Sequence, residues 1–173
     1  MVDMNTAAET PVYRARGLDA STVDFVLGNF EFVLLHELAH VVIGELKVPV
    51  LGPEEDAADF LAATALLNTT RGDPVSYRRA NTWLLAAAEG LRLSWAEGET
   101  RTGELPYWNS HSLNIQRFYS IACLLYGNDP DAFADLPAEV GMPAARADGC
   151  AAEWQKADRS FRWLLDNFGR KPG

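Results

Sequence analysis

Lysine is scarce in this chain. Its 173 residues include only Lys47, Lys156 and Lys171; Lys+Arg is 15 against an Asp+Glu of 24, for a formal net charge of -9. The arginines are scattered apart from Arg78 and Arg79, so no basic patch hides in the average. A chain this acidic is repelled by nucleic acid and by anionic membrane surfaces, so neither is an expected partner. Cysteine occurs only as Cys123 and Cys150, which excludes a disulfide scaffold and a zinc knuckle. No run of 18 apolar residues exists: the best stretch, near residues 32–44, is interrupted by His36, Glu37 and His40, and no membrane span is expected. Residues 1–9 carry Asp3, Asn5 and Glu9 without an apolar core and do not read as a secretory signal. That leaves a cytoplasmic chain, or an exported one whose signal has been removed. Internal repeats, long Gly/Ser/Pro linkers and strand-like alternation are essentially missing. What is present is a hydrophobic share of 48% and an aromatic share of 10%, enough for a sizeable core and too much for a disordered chain.

Periodicity predicts an all-α fold of about five helices: residues 22–47, 53–68, 76–97, 106–126 and 143–167, with a short helical turn near 131–136. Pro53 suits a first helical position, and the glycines and prolines fall between the periodic segments. Residues 1–21 read as an irregular N-terminal segment with at most a short strand within 10–16, and 22–173 as one helical domain.

The first helix contains His36-Glu37-Leu38-Ala39-His40, an H-E-x-x-H pattern in an apolar setting. Residues four apart share a helical face, so His36 and His40 can aim two imidazoles at one ion. Glu37 lies about 100° round the helix, where a general base for a metal-activated water belongs. Asp24, Glu31 and Glu45 share one sector and read as the solvent face; Asn29, His36, His40 and Lys47 fall nearly opposite. Two imidazoles away from the wet side need partners on both ring nitrogens, and a metal with a carboxylate or carbonyl behind each ring would supply them.

A catalytic zinc site takes three protein ligands. The nearest acidic cluster is Glu54-Glu55-Asp56-Ala57-Ala58-Asp59, at the start of the second helix. Glu55 is the leading third ligand, with Asp56 and Asp59 as competitors. With Glu55 on the metal, Asp59 falls one turn along and can hold a ligand histidine by its free N–H. Helix-dipole preference accounts equally well for Glu54 and Asp56. Alanines at 57, 58, 62, 63 and 65 would let the two helices approach closely.

H-E-x-x-H at 36–40 followed by E-x-x-A-D at 55–59 resembles the gluzincin metallopeptidases. The wider chain resembles the bacterial metallopeptidase-like family catalogued as domain of unknown function 4344. The stretches carrying that likeness are 29–40, 49–59, Gln116-Arg117-Phe118-Tyr119, 123–127 and 146–153. The resemblance implies His36, His40 and Glu55 as zinc ligands, Glu37 as general base, Asp59 behind a ligand histidine, and a peptide or protein substrate. Larger gluzincins also bind substrate along a sheet edge, for which this chain offers no strand outside 10–16.

Zinc peptidases need a donor for the developing oxyanion. His111 is the candidate, placed near the start of the fourth helix within about 80° of Tyr119 and Tyr126. Arg117 is expected to pair with an acidic residue such as Asp56. The resemblance links Cys123 with Cys150, which could pair in an oxidising compartment. The function expected is a zinc-dependent metallopeptidase; the alternative is a degenerate, non-catalytic zinc-binding protein acting in recognition. The sequence leaves oligomeric state open.

Overall fold

The computed structural model describes residues 20–99, 105 and 107–169. Within them the fold is all-α, with no strand. The strand expected within 10–16 lies outside the described residues. Five long helices carry the structure: α1 (Ala20–Leu46), α2 (Glu54–Thr70), α3 (Pro74–Ser94), α4 (Asn114–Asn128) and, after the single turns α5 (Leu136–Glu139) and α6 (Ala144–Ala147), α7 (Cys150–Phe168). A π-helical turn, Trp95–Glu99, extends α3.

α3 and α4 form the centre. α1 packs on α3 and α2, and α7 packs on α4 and α2. The fully buried Leu67, Leu84, Ile121, Leu124 and Leu125 come from α2, α3 and α4. At the α1–α3 crossing the backbones meet: a Cβ on Gly28 would lie 2.5 Å from the Trp83 carbonyl oxygen, so only glycine fits. Ala58, Ala62 and Ala63 are buried and allow the expected close approach of α2. Between α1 and α2 the chain turns at Lys47, whose φ of 54° is left-handed. The Val48 N–H then bonds the Ile43 carbonyl at 3.0 Å, the six-to-one bond of a Schellman ending.

Three boundaries differ from expectation. α4 begins at Asn114 rather than 106, because residues 107–113 form bends and turns. Asn109, Ser110 and Ser112 offer the backbone side-chain partners that compete with a helix; the Asn109 side chain accepts from the His111 N–H at 3.1 Å. The last helical stretch breaks at Asp148-Gly149, a turn pair, into α6 and α7. The short helical turn lies at Leu136–Glu139 rather than over 131–136.

Of the three acids expected to face solvent on α1, Glu45 is exposed but Asp24 and Glu31 are not. Asp24 is half-buried and accepts from the Trp83 indole N–H at 3.2 Å, and Glu31 is half-buried as well. Solvent instead meets Phe30, Val33, Leu34, Glu37 and Val41. Lys47 does not continue the histidine face, because the helix ends before it. By length and composition alone Ser21–Leu46 is long and apolar enough to cross a bilayer; its contacts run to α2 and α3.

Candidate metal centre

α1 presents His36 and His40 one turn apart, and α2 presents Glu55 opposite them. His36 Nε2, His40 Nε2 and Glu55 Oε2 lie 3.2 Å from one another on all three sides. His36 is buried, while His40 and Glu55 are partly open to solvent. The arrangement follows from two helical registers and the tight Lys47 turn that folds α2 back along α1.

Proton accounting makes this triangle unusual. His36 Nδ1 is 2.8 Å from Asp59 Oδ1, and His40 Nδ1 is 2.8 Å from Glu54 Oε1. An ionised carboxylate has no proton to give, so each Nδ1–H is the donor. Both Nε2 atoms of the neutral rings then carry bare lone pairs, and Glu55 Oε2 adds a third. Three acceptors facing one another need a proton or a cation among them. Ligand atoms about 2.0–2.1 Å from a tetrahedral zinc lie about 3.3 Å apart, which the 3.2 Å edges match. The donor set of two imidazoles and one carboxylate therefore fits a borderline divalent cation. Among the described residues, the ligand atoms of His36, His40 and Glu55 all lie within 4.8 Å of one another, close enough to share one ion.

The carboxylates behind the rings differ in burial. Asp59 is 4% exposed. Arg117, from α4, donates to both its oxygens, Nε to Oδ2 at 2.7 Å and Nη2 to Oδ1 at 2.8 Å. The expected pairing of Arg117 with Asp56 is thus corrected: a buried carboxylate needs the counter-charge more than a half-exposed one does. Asp56 instead accepts from the Ser112 hydroxyl at 2.8 Å and tethers the 107–113 segment to α2. Burial disfavours the Arg117 charge, but Asp59, with Glu55 and Asp56 behind it, outweighs that and raises its pKa further.

That tether brings His111 in. Its Nε2 is 2.8 Å from Glu55 Oε2, and its ring stacks over His36 with centroids 6.3 Å apart. His111 belongs to an irregular segment rather than a helix, so its expected relation to Tyr119 and Tyr126 is lost. Tyr119 donates to the Val140 carbonyl and packs on the core. Burial works against the Glu55 charge, but His111, His40 and His36 overcome it and hold its carboxyl below the ordinary value. The hydrogen bond to Glu54, opposed by burial and aided by Glu55, raises the His40 pKa above its ordinary 6.5, so a proton and a cation compete for its Nε2. Glu37 is exposed, one residue beyond His36 on the solvent side of α1. Glu54 was not singled out in the sequence, because its place in a helix's first turn explains it equally well. Cys123 and Cys150 form a buried disulfide between α4 and α7, away from this cluster.

A family described as "Putative metallopeptidase", DUF4344, matches residues 3–165. No curated protein and no solved structure matches the chain.

Proposed function

We propose, from the premise that this chain belongs to the DUF4344 family, that it is a zinc-dependent peptidase whose metal is held by His36, His40 and Glu55. The observation carrying this reading is the triangle of lone-pair atoms with 3.2 Å edges. A zinc ion held there supplies a Lewis acid that acidifies water and polarises a carbonyl. Asp59 and Glu54 fix which nitrogen of each ring faces the triangle. Glu37 takes the proton of the attacking water and returns it to the leaving amine nitrogen as the peptide bond breaks. His111 turns its Nε2–H from Glu55 toward the carbonyl oxygen as that oxygen gains charge.

The test compares wild type with Glu37→Gln by elemental analysis and peptide-library digestion. Both proteins are expected to hold about one zinc per chain, with turnover lower in the variant by about 10²–10⁴-fold. Full hydrolysis by Glu37→Gln, or protein that takes up no zinc, overturns the reading.

One observation favours the alternative of a zinc-binding recognition protein. His111 Nε2 already touches Glu55, and a small swing would make it a fourth ligand that closes the open position. In that case His111→Ala weakens zinc binding by about tenfold or more, and the wild type cleaves nothing.

A further inference from the structure

Glu37 has unusual neighbours. Between residues 26 and 41 of α1, every exposed side chain other than Glu37 is Val, Leu or Phe. Phe30 is 65% exposed, Val33 56% and Val41 57%. Large contiguous apolar surface on a protein in water marks a place where something binds. On the helical wheel this stripe begins about 20° past His40 and runs about 140° further, so its C-terminal half lies beside the candidate metal centre. Val33 and Val41 stand four residues either side of Glu37, about 6 Å along the axis in each direction. The segment that delivers His111 to Glu55 adds two exposed rings, Tyr107 and Trp108.

We propose that this stripe is the floor on which the substrate lies, and that the substrate is an extended peptide with apolar side chains on both sides of the scissile bond. The inference rests on the hydrolytic reading above. Glu37 must reach a water beside the scissile carbonyl, so the substrate residues before and after that bond cross Val33 and Val41. Polar side chains laid there lose water without gaining partners, whereas Leu, Val or Phe side chains bury apolar area on both surfaces. The same face is a poor membrane surface: Glu37 sits in its middle, and the net charge of -9 opposes anionic lipid. It is also a poor self-association surface, because a two-fold pairing of the stripe would press two Glu37 carboxylates into an apolar interface.

The test uses the full chain as Glu37→Gln, reconstituted with zinc. Fluorescence anisotropy measures its binding of a labelled, end-blocked Leu/Phe/Val hexapeptide and of a matched Asn/Gln/Thr hexapeptide. The apolar peptide is expected to bind about tenfold tighter or more. Adding Val33→Asn and Val41→Asn, both exposed positions, is expected to reduce that preference to about twofold without changing zinc content. Equal binding of the two peptides, or a preference that survives the double substitution, overturns the proposal. So does a wild-type dimer in sedimentation, or binding to phosphatidylcholine vesicles, that disappears in the valine variants. If the apolar peptide binds this face and the wild type leaves it intact, the hydrolytic reading falls and the surface assignment stands. If the wild type cleaves polar and apolar peptides alike, the hydrolytic reading stands and this one falls.

Discussion

At the scale of single residues, the decisive side chain outside the triangle is Asp59. It takes the His36 Nδ1–H and both arms of the Arg117 guanidinium while almost wholly buried. It thereby fixes the tautomer that leaves His36 Nε2 free for a cation. Asp59→Asn is expected to weaken zinc binding by about 10–100-fold, read by competition with a chromophoric chelator. Glu54→Gln, whose carboxylate is half-exposed beside the more open His40, is expected to cost less in the same assay. A larger loss from Glu54→Gln than from Asp59→Asn would reverse this ranking. Spacing alone pairs His36 with His40, since a helix turns i, i+4 into neighbours; for the third ligand it leaves Glu55 beside Asp56 and Asp59, and only the family resemblance singles Glu55 out. The sequence could not announce which carboxylate Arg117 would meet, because the register between α2 and α4 is set by the packing of Leu67, Ile121 and Leu124 rather than by any local rule.

At the scale of elements, the helix ends hold the telling features. Lys47 occupies a left-handed position that glycine fills without steric cost. Lys47→Gly is expected to stabilise the fold by about 1 kcal/mol, raising Tm by about 2–4 °C in thermal denaturation. At the start of α3, Asp73 caps the helix by accepting from the Val75 and Ser76 backbone N–H groups. The Ser76 contacts hold its carboxyl below its ordinary 3.8. A pKa lowered by folding means stability that is present in full above 3.8 and lost as pH falls through the folded value. Asp73→Ala is therefore expected to melt lower than wild type at neutral pH, with the gap closing below 3.8; a gap that is constant with pH would contradict this. The five long helices were legible because their apolar positions recur at helical period. The 107–113 segment was not, because its apolar Tyr107 and Trp108 imitate a helical start while its Asn and Ser side chains unmake one. The outward face of α1 was misjudged for a related reason. Its acids suggested solvent, but Asp24 is engaged by Trp83, and the apolar residues expected inside outnumber what one helix can bury.

At the scale of the whole molecule, one covalent link joins the back of the structure. Cys123 and Cys150, 27 residues apart in sequence, tie α4 to α7 with both cysteines fully buried. Closing a loop of that length stabilises by roughly 3–4 kcal/mol in the chain-entropy account. Replacing both cysteines by serine is expected to lower Tm by roughly 10 °C by calorimetry. An unchanged Tm would show that helix packing alone holds α7. None of His36, His40, Glu55 or His111 lies within the closed loop, so the serine variant is expected to keep its zinc stoichiometry.

The two helical rods that meet at Lys47 also restrict how such a chain can change in length. One amino acid gained or lost between His36 and His40 swings the following side chains about 100° and parts the two imidazoles, and one between Glu55 and Asp59 takes Asp59 from behind His36. The bend between the rods carries no donor and answers only to where the second rod begins. Insertions and deletions are thus confined to the joint and the distant surface loops, while the rods can diversify only by exchange of one side chain for another.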